Sequence, residues 1–201
     1  MKTQTHLIPR GAIKVPVPDV TQQTEYSCGA ASLEAVCKFY GVGKDDEWEY
    51  IHDLKMDTRV GSHPYQIVTL AKKYGLKVKE YEKMTFESLK RELAWKHPVM
   101  LMIQAYAKEV SDKTHRLRWR KDYTPVWNNG HWVVAIGFDR SGVYFEDPSI
   151  EAMRGWLSWD ELRCRWHDTG PHGKHLPQLG LAIWSPRRIK SSYETVAERI
   201  P

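Results

Sequence analysis

Hydrophobic positions in the first half of the chain follow the spacing of amphipathic helices. In CGAASLEAVCKFY, residues 28–40, apolar side chains return every three or four positions, and Gly41 follows as a helix stop. Ser27 stands at the N-cap position of this predicted helix. The same spacing predicts three further helices, over residues 45–55, 64–75 and 85–93, with one alternating strand, LKVKEY, between the last two.

The second half of the chain is patterned as strands. Apolar stretches cover residues 99–106, 132–139 and 143–146, and a Ser-Gly turn at residues 141–142 separates the last two. Strands joined by so short a turn are antiparallel. Helices followed by strands therefore predict an α+β fold in which the N-terminal helices pack on an antiparallel β-sheet.

Signals near the chain ends set the predicted domain organisation. Ser158 and Glu161 have the spacing of a capping box and predict a short helix, and LGLAIW, residues 179–184, is expected as the last strand. At 201 residues, a single domain is the default expectation. The predicted segments are an extended lead-in at residues 1–16, a globular domain at residues 17–184 and a polar tail at residues 185–201.

Composition and charge exclude several classes of protein. The hydrophobic share of 41% and the charged share of 27% fit a globular protein with a proper core. The net charge is +5, but residues 112–121 and 185–201 carry all of this excess, so the remainder is nearly neutral and nucleic-acid binding is not expected. No apolar stretch reaches the length of a membrane span, and residues 1–18 lack the apolar core of a signal peptide. Three cysteines are too few for a disulfide scaffold, so a cytoplasmic location is expected.

Cys28 lies at the start of the first predicted helix, where a thiol is activated. The positive end of the helix dipole and the unpaired N–H groups of the first turn favour the thiolate, which is the nucleophilic form. Gly29, Ala30 and Ala31 follow, and their small side chains would let a substrate approach the sulfur closely. Cys37 lies in mid-helix, where a small buried hydrophobic residue is the ordinary interpretation. Cys28 is therefore the candidate nucleophile.

A thiolate catalyst needs a base, and His131 is the best placed of nine histidines. It follows a glycine-containing loop and begins an apolar strand, which favours a position at a sheet end facing a cleft. Asp147 follows the next strand, and the hairpin turn brings it back beside His131, where it would orient the imidazole. The alternatives are a half-buried histidine at a strand start and a simple Asp-Pro turn.

Two glutamines are candidates for stabilising an oxyanion. Gln22 and Gln23 lie six and five residues before Cys28, close enough for either side chain to fold back beside the sulfur. The side-chain amide N–H of one of them, together with the Cys28 backbone N–H, would form an oxyanion hole with two hydrogen-bond donors. Spacing alone does not decide which of the two glutamines is the oxyanion donor.

These segments together resemble a known family. QQTEYSCGAASLEAVCKFYG is similar to the cysteine box, and GHWVVAIGFD with VYFEDPS to the histidine box and Asp-Pro, of the bacteriocin-processing, double-glycine-type cysteine peptidases of the papain-like clan. The resemblance runs from about residue 17 to residue 150, and LSWDELRCRWHD is similar to a further element of stand-alone members. It implies a papain-like cysteine peptidase fold, a bacterial source and a member without the transporter part.

The resemblance also implies a role for each candidate residue. Cys28 becomes the nucleophile, His131 the base and Asp147 its orienting group. The glutamine of the family's cysteine box lies six residues before Cys-Gly, which selects Gln22 as the oxyanion donor. The implied function is hydrolysis of a peptide or related amide bond in a peptide or protein substrate. The alternatives are acyl transfer by the same thiol chemistry and a non-catalytic peptide-binding relative.

Two other segments carry candidate chemistry. CRWHDTGPHGKH offers four potential zinc ligands, but their spacing matches no standard finger, so neither a metal nor another cofactor is expected; the four are Cys164, His167, His172 and His175. The basic run at residues 112–121 interleaves arginines with Trp119 and could bind nucleic acid. It is interpreted instead as part of a substrate-recognition lid, because long loops near catalytic residues commonly have that role.

Overall fold

The chain has a helical first half and a strand-rich second half. This computed structural model describes residues 5–106, 122–151, 154–185 and 196–200. Its helices are α1 (Cys28–Tyr40), α2 (Glu47–Leu54), α3 (Pro64–Lys73), α4 (Phe86–Ala94) and α5 (Trp159–Arg165), with a 3₁₀ turn at Pro171–Gly173. Its strands are β1 (Thr5–Leu7), β2 (Ile13–Lys14), β3 (Lys77–Tyr81), β4 (Val99–Gln104), β5 (Gly130–Phe138), β6 (Gly142–Glu146), β7 (Arg154–Ser158), β8 (His167–Thr169), β9 (His175–Pro177), β10 (Gly180–Trp184) and β11 (Val196–Arg199). In these ranges no helix is both long and apolar enough to span a membrane.

Local capping interactions fix the helix ends. Asp46 and Thr85 each accept a hydrogen bond from a backbone N–H in the first turn of the helix that follows. The predicted capping box of Ser158 and Glu161 forms with both of its hydrogen bonds. Gly41 ends α1 in the left-handed conformation, with φ of 65°, as a helix stop requires. At Gly41 and at Ser158 the helix boundary is therefore set by the residue that the sequence pattern indicates.

Nine of the described strands form a large sheet whose middle is buried, and β8 and β9 pair with each other as a second, two-stranded sheet. In the described part of the chain the strand order is β1-β11-β7-β6-β5-β4-β10-β3, and β2 pairs with the end of β5. All of these pairings are antiparallel except that of β7 with β11. Helix α1 packs against β5, where the Ser32 hydroxyl donates to the Trp132 carbonyl at 3.2 Å. The predicted α+β fold, with N-terminal helices on an antiparallel sheet, is confirmed.

The end of the chain differs from the prediction. Residues 185–201 are predicted as a polar tail after a last strand, whereas β11 lies between β1 and β7 in the sheet. Ile200 is fully buried, and its N–H donates to the Trp156 carbonyl at 3.2 Å. Strand pairing uses backbone groups, so a short polar segment can join a sheet when an apolar neighbour anchors it. The sheet thus draws on segments outside the predicted 17–184 domain, including β1 and β2 of the lead-in.

Candidate active site

Cys28 is the first residue of α1, and its half-buried sulfur lies near backbone donors. Ser27 occupies the N-cap position, but its hydroxyl bonds to Thr24 instead of capping the helix. Among the described residues the Cys28 N–H has no acceptor, and the first helical bond starts from Ala30. The Trp132 N–H donates to the Cys28 sulfur at 3.5 Å. These donors and the positive end of the helix dipole surround the sulfur with partial positive charge.

Gly29 allows α1 to pack closely against its neighbours. A Cβ atom at this position would lie 1.9 Å from the Ser62 hydroxyl and 2.9 Å from the Trp132 ring, so no other residue fits without a shift. Ala30 and Ala31 are fully buried. Protein atoms therefore fill the space around Gly29, Ala30 and Ala31 themselves. The small residues serve the packing of the helix start.

The β5–β6 hairpin brings His131 and Asp147 into contact. His131 is the second residue of β5, Asp147 follows β6 directly, and their Nε2 and Oδ1 atoms are 2.7 Å apart. Only 6% of His131 and 0% of Asp147 is exposed. Because Nε2 is engaged by the carboxylate, Nδ1 is the ring nitrogen left for the Cys28 sulfur.

Opposing effects set the charge of the His131 ring. Burial is the largest effect and disfavours the imidazolium, but the charge and hydrogen bond of Asp147 oppose it. With a further contribution from Cys28, they raise the pKa of His131 to about 10. The ring therefore carries a proton at neutral pH and lies beside the Cys28 sulfur.

Tyr106 holds Asp147 from the opposite side. Its hydroxyl donates to Asp147 Oδ2 at 3.0 Å, while the Ser149 N–H donates to Oδ1 at 3.0 Å. The Tyr106 ring also meets the His131 ring edge to face, with a centroid distance of 5.2 Å and an interplanar angle of 87°. Tyr106 has a φ of 57°, which is unusual for a residue with a side chain. The sequence pattern places Tyr106 at the end of a strand and gives no sign of this contact, because the contact joins distant segments.

Replacing Tyr106 with phenylalanine should lower kcat about tenfold with little change in KM, because the Asp147 carboxylate loses one of its donors while the ring contact remains. Tyr106→Leu, which also removes the ring, should cost more. Steady-state kinetics on a cleaved peptide measures both, with the exposed Tyr65→Phe as control. A lower Tm with kcat unchanged would reduce Tyr106 to a structural residue.

The two candidate glutamines point to different parts of the molecule. The Gln22 N–H donates to the Pro148 carbonyl at 2.8 Å, and Gln22 Oε1 accepts from the Ser149 hydroxyl at 3.1 Å. Its Nε2 donates one hydrogen to the Thr24 carbonyl at 2.7 Å. Gln23 instead bonds to α2 through the Trp48 indole and the Glu47 carboxylate. The turn after Asp147 therefore anchors Gln22, and Gln23 is held away from it.

A buried ionic group supports the segment that leads to Gln22. Glu146 Oε1 accepts from the Val20 N–H at 3.3 Å, and Arg154 Nη2 donates to the Val17 carbonyl at 2.6 Å. Burial raises the pKa of Glu146 well above its usual range, and the Arg154 cation opposes this effect. These two residues connect the N-terminal segment to β6 and β7. Neither stands out in the sequence as part of the site.

A cleft of about 520 Å³ opens beside the Cys28 sulfur. Trp127 and Trp132 contribute aromatic surface to it, and its charged lining residues in the described ranges are Glu25, Arg59 and Asp168. A larger cavity, of about 920 Å³, lies between β1 and the β5–β6 turn and contains none of the candidate catalytic residues. Of these two cavities, the smaller one is the one that Cys28 lines.

Asp168 is a buried carboxyl group in the wall of this cleft. Its Oδ1 accepts from the Gln104 amide at 2.9 Å and from the Thr169 N–H at 2.8 Å. Only 6% of Asp168 is exposed. Burial raises the pKa of Asp168 from 3.8 to about 6, although both hydrogen bonds act in the opposite direction. The charged form of Asp168 therefore destabilises the fold at neutral pH.

Asp168→Asn should raise the free energy of unfolding by about 1–3 kcal/mol at pH 7.5. The native state favours the protonated acid, so the destabilisation is complete above the folded pKa of about 6 and disappears as pH falls toward 3.8. Urea unfolding of both proteins at pH 7.5 and pH 4 measures the difference. A loss of stability at pH 7.5 would show that the charge of Asp168 is needed for the fold.

The remaining sequence candidates do not assemble into a site. His167 Nε2 donates to the Val126 carbonyl at 2.7 Å, and the His175 ring stacks on Trp127 with a centroid distance of 4.1 Å. In the described ranges no group of three or more His, Cys, Asp or Glu side chains is arranged to hold a metal ion. The basic run, residues 112–121, lies within residues 107–121, which are outside the described part of the chain.

Comparison with solved structures identifies the fold. A putative C39-like peptidase from Bacillus anthracis matches 88% of this chain and 99% of its own, with a TM-score of 0.62 and 17% identity. A double glycine motif protease from an AMS/PCAT transporter, in complex with the leader peptide, matches 91% and 98%, with a TM-score of 0.55 and 21% identity. The peptidase domain of Streptococcus ComA, a bi-functional ABC transporter involved in quorum sensing, matches 82% and 95%, with a TM-score of 0.54 and 19% identity. The fold is thus that of papain-like C39 peptidase domains.

Comparison at the level of sequence gives the family. A search of curated proteins found no significant match. The family model described as the Peptidase_C39 like family matches residues 14–173, which include Gln22, Cys28, His131 and Asp147. Since the match covers well over half of the chain, the protein belongs to the Peptidase_C39 like family and is a cysteine peptidase.

Proposed function

We propose that this cysteine peptidase hydrolyses peptide bonds with a Cys28–His131–Asp147 triad. The observation that carries the proposal is the 2.7 Å bond between the buried His131 and Asp147, next to a thiol at a helix N-terminus. The carboxylate fixes the imidazole orientation and stabilises its charged form, and the imidazolium in turn favours the thiolate. A solved neighbour holds a leader peptide, which supports a peptide or protein as the substrate class.

The proposed reaction has two halves. The Cys28 thiolate attacks the peptide carbonyl carbon, and the carbonyl electron pair moves to oxygen. Collapse of this intermediate breaks the C–N bond while His131 donates its proton to the leaving amine, which leaves a thioester on Cys28. Water then attacks the thioester and gives a proton to His131, so the second product carries the new carboxyl group and the thiolate is regenerated.

We propose the Cys28 N–H and the Gln22 amide as the donors to the oxyanion. The N–H has no acceptor among the described residues, and an amide NH₂ has a second hydrogen besides the one that Gln22 gives to Thr24. The turn after Asp147 anchors Gln22 through the Pro148 carbonyl and the Ser149 hydroxyl. A donor held by other residues needs little reorganisation when the negative charge develops.

Gln22→Ala should lower kcat about 10²-fold with a smaller change in KM, because an oxyanion donor acts mainly in the transition state. Gln23→Ala is the matched control, since its side chain bonds to α2 and should leave kcat within about twofold. Peptide-cleavage kinetics of the two variants decides between them. If Gln23→Ala showed the loss and Gln22→Ala did not, the proposed donor would be wrong.

The proposed activity can be tested without knowing the substrate. The protein and its Cys28→Ala variant are incubated with a diverse peptide mixture, and new termini are identified by mass spectrometry. New termini that depend on Cys28 are expected, and their absence would contradict the proposal. Adding hydroxylamine shows whether an amine replaces water at the acyl-enzyme.

The three free cysteines also lead us to propose a reducing compartment, the cytoplasm, as the place of action.

A further inference from the structure

One oxygen of Asp168 is left for a ligand. The side chain is more than nine-tenths buried and lines the same cleft as Cys28. Oδ1 accepts both of the hydrogen bonds that the described residues donate to this carboxylate, from Gln104 and Thr169. Oδ2 has no donor among the described residues. Because Asp168 lines the cleft, a donor supplied by substrate could bind to this oxygen.

This oxygen lies beside Gly130, the residue that precedes His131. A Cβ atom placed on Gly130, the residue before His131, would be 2.0 Å from Asp168 Oδ2. The carboxylate therefore occupies the space that any side chain at position 130 would need. A group bound to Oδ2 would sit next to the start of β5, in the cleft that Cys28 also lines.

The charges of the cleft favour a cation over a neutral donor. Arg59 is the one cationic lining residue in the described ranges, and its guanidinium lies 3.3–3.4 Å from the Asp57 carboxylate. Glu25 adds a second negative charge to the lining. The indoles of Trp127 and Trp132 supply aromatic surface, and such surface attracts cations. The cleft thus combines aromatic walls with a carboxylate that has no cationic partner among the described residues.

We propose that Asp168 is a specificity-determining residue that binds a cationic nitrogen of the peptide substrate near the scissile bond. The cation is a Lys or Arg side chain or a free α-amino group, all of which carry N–H donors and positive charge. This inference rests on the proposed peptidase function and adds a substrate class to it. The energetic penalty of the charged carboxylate is then offset when substrate binds.

The test begins with the peptide mixture and wild-type protein and continues with synthetic pairs based on the best-cleaved sequence. The pairs compare Lys with norleucine, Arg with citrulline, and a free with an acetylated amino terminus. We expect kcat/KM for one cationic member to exceed that of its neutral partner by about tenfold or more. In Asp168→Asn this ratio should fall to within about threefold. Glu25→Gln, which removes a negative charge from the same cleft, should retain most of the preference.

The outcomes separate the inference from the function on which it rests. The pair that shows the preference identifies which cation is bound. Equal cleavage of cationic and neutral partners, or an unchanged preference in Asp168→Asn, overturns the inference and leaves the peptidase function standing. If wild-type protein produces no new termini, the proposed function fails and the inference fails with it. All three comparisons of cationic and neutral partners use unaltered protein, so they test the inference independently of the Asp168→Asn variant.

Discussion

Cys28→Ala should lower peptide hydrolysis by about 10⁴-fold or more, because without the sulfur no acyl-enzyme can form. The fold should persist, since Cys28 is only half-buried and α1 is held against β5 by other residues, such as Ser32. Turnover of the best-cleaved peptide measures the activity, and urea unfolding measures the stability. Activity retained in this variant would contradict the whole proposed mechanism.

Cys37→Ala is the matched control and should behave in the opposite way. Cys37 is fully buried on the same helix, and burial raises the pKa of its thiol to about 12, so it offers no nucleophile at neutral pH. Removing its sulfur should lower the free energy of unfolding by about 1–2 kcal/mol and leave kcat within about twofold. The two variants together separate the chemical role of one cysteine from the packing role of the other.

The parts of the site that the sequence predicts are those set by local rules. The start of α1 at Cys28 follows from the apolar spacing and from Gly41 as a stop. The contact of His131 with Asp147 follows from a hairpin, where a short turn sets which residues face each other. Local patterns could not separate Gln22 from Gln23; the resemblance to a family selected Gln22, and the structure holds it at the turn after Asp147.

The parts that the sequence leaves out depend on contacts between distant segments. Tyr106 meets Asp147 from 41 positions away, and the Gln104 amide reaches Asp168 across 64 positions. The space beside Gly29 is filled by Ser62 and Trp132. Strand β11 joins the sheet through backbone pairing, which polar composition does not indicate. Periodicity describes one element at a time, whereas these features arise only when separate elements pack together.

Asp147→Asn should remove most of the activity and lower kcat by about 10²-fold or more. The amide can keep a hydrogen bond to His131 but not the negative charge. Burial of the His131 ring disfavours the imidazolium, and without the Asp147 charge to oppose this effect the pKa of His131 falls from about 10. The raised pKa of His131 stabilises the folded wild-type protein fully below about pH 6.5, and this contribution is lost as pH rises through about 10. Because the variant loses part of this contribution, it should also be less stable than wild type at neutral pH.

Alkylation of Cys28 tests most directly whether the Asp147 charge supports the thiolate. Near pH 6 a free thiol, with a pKa of about 8.5, is under about 1% thiolate, so limiting iodoacetamide should label Cys28 almost alone in the wild-type protein. In Asp147→Asn and in His131→Ala this labelling should fall by about tenfold or more and return only as pH approaches about 8–9. Asp139→Asn is the matched control, because Asp139 lies at the far end of the same hairpin and bonds to Ser141 and Tyr144. Peptide mapping by mass spectrometry measures the label on each cysteine. Equal labelling of Cys28 in wild-type and Asp147→Asn proteins at pH 6 would mean that the Asp147 charge does not support the thiolate. Preferential labelling of Cys164 would instead place the reactive thiol on α5.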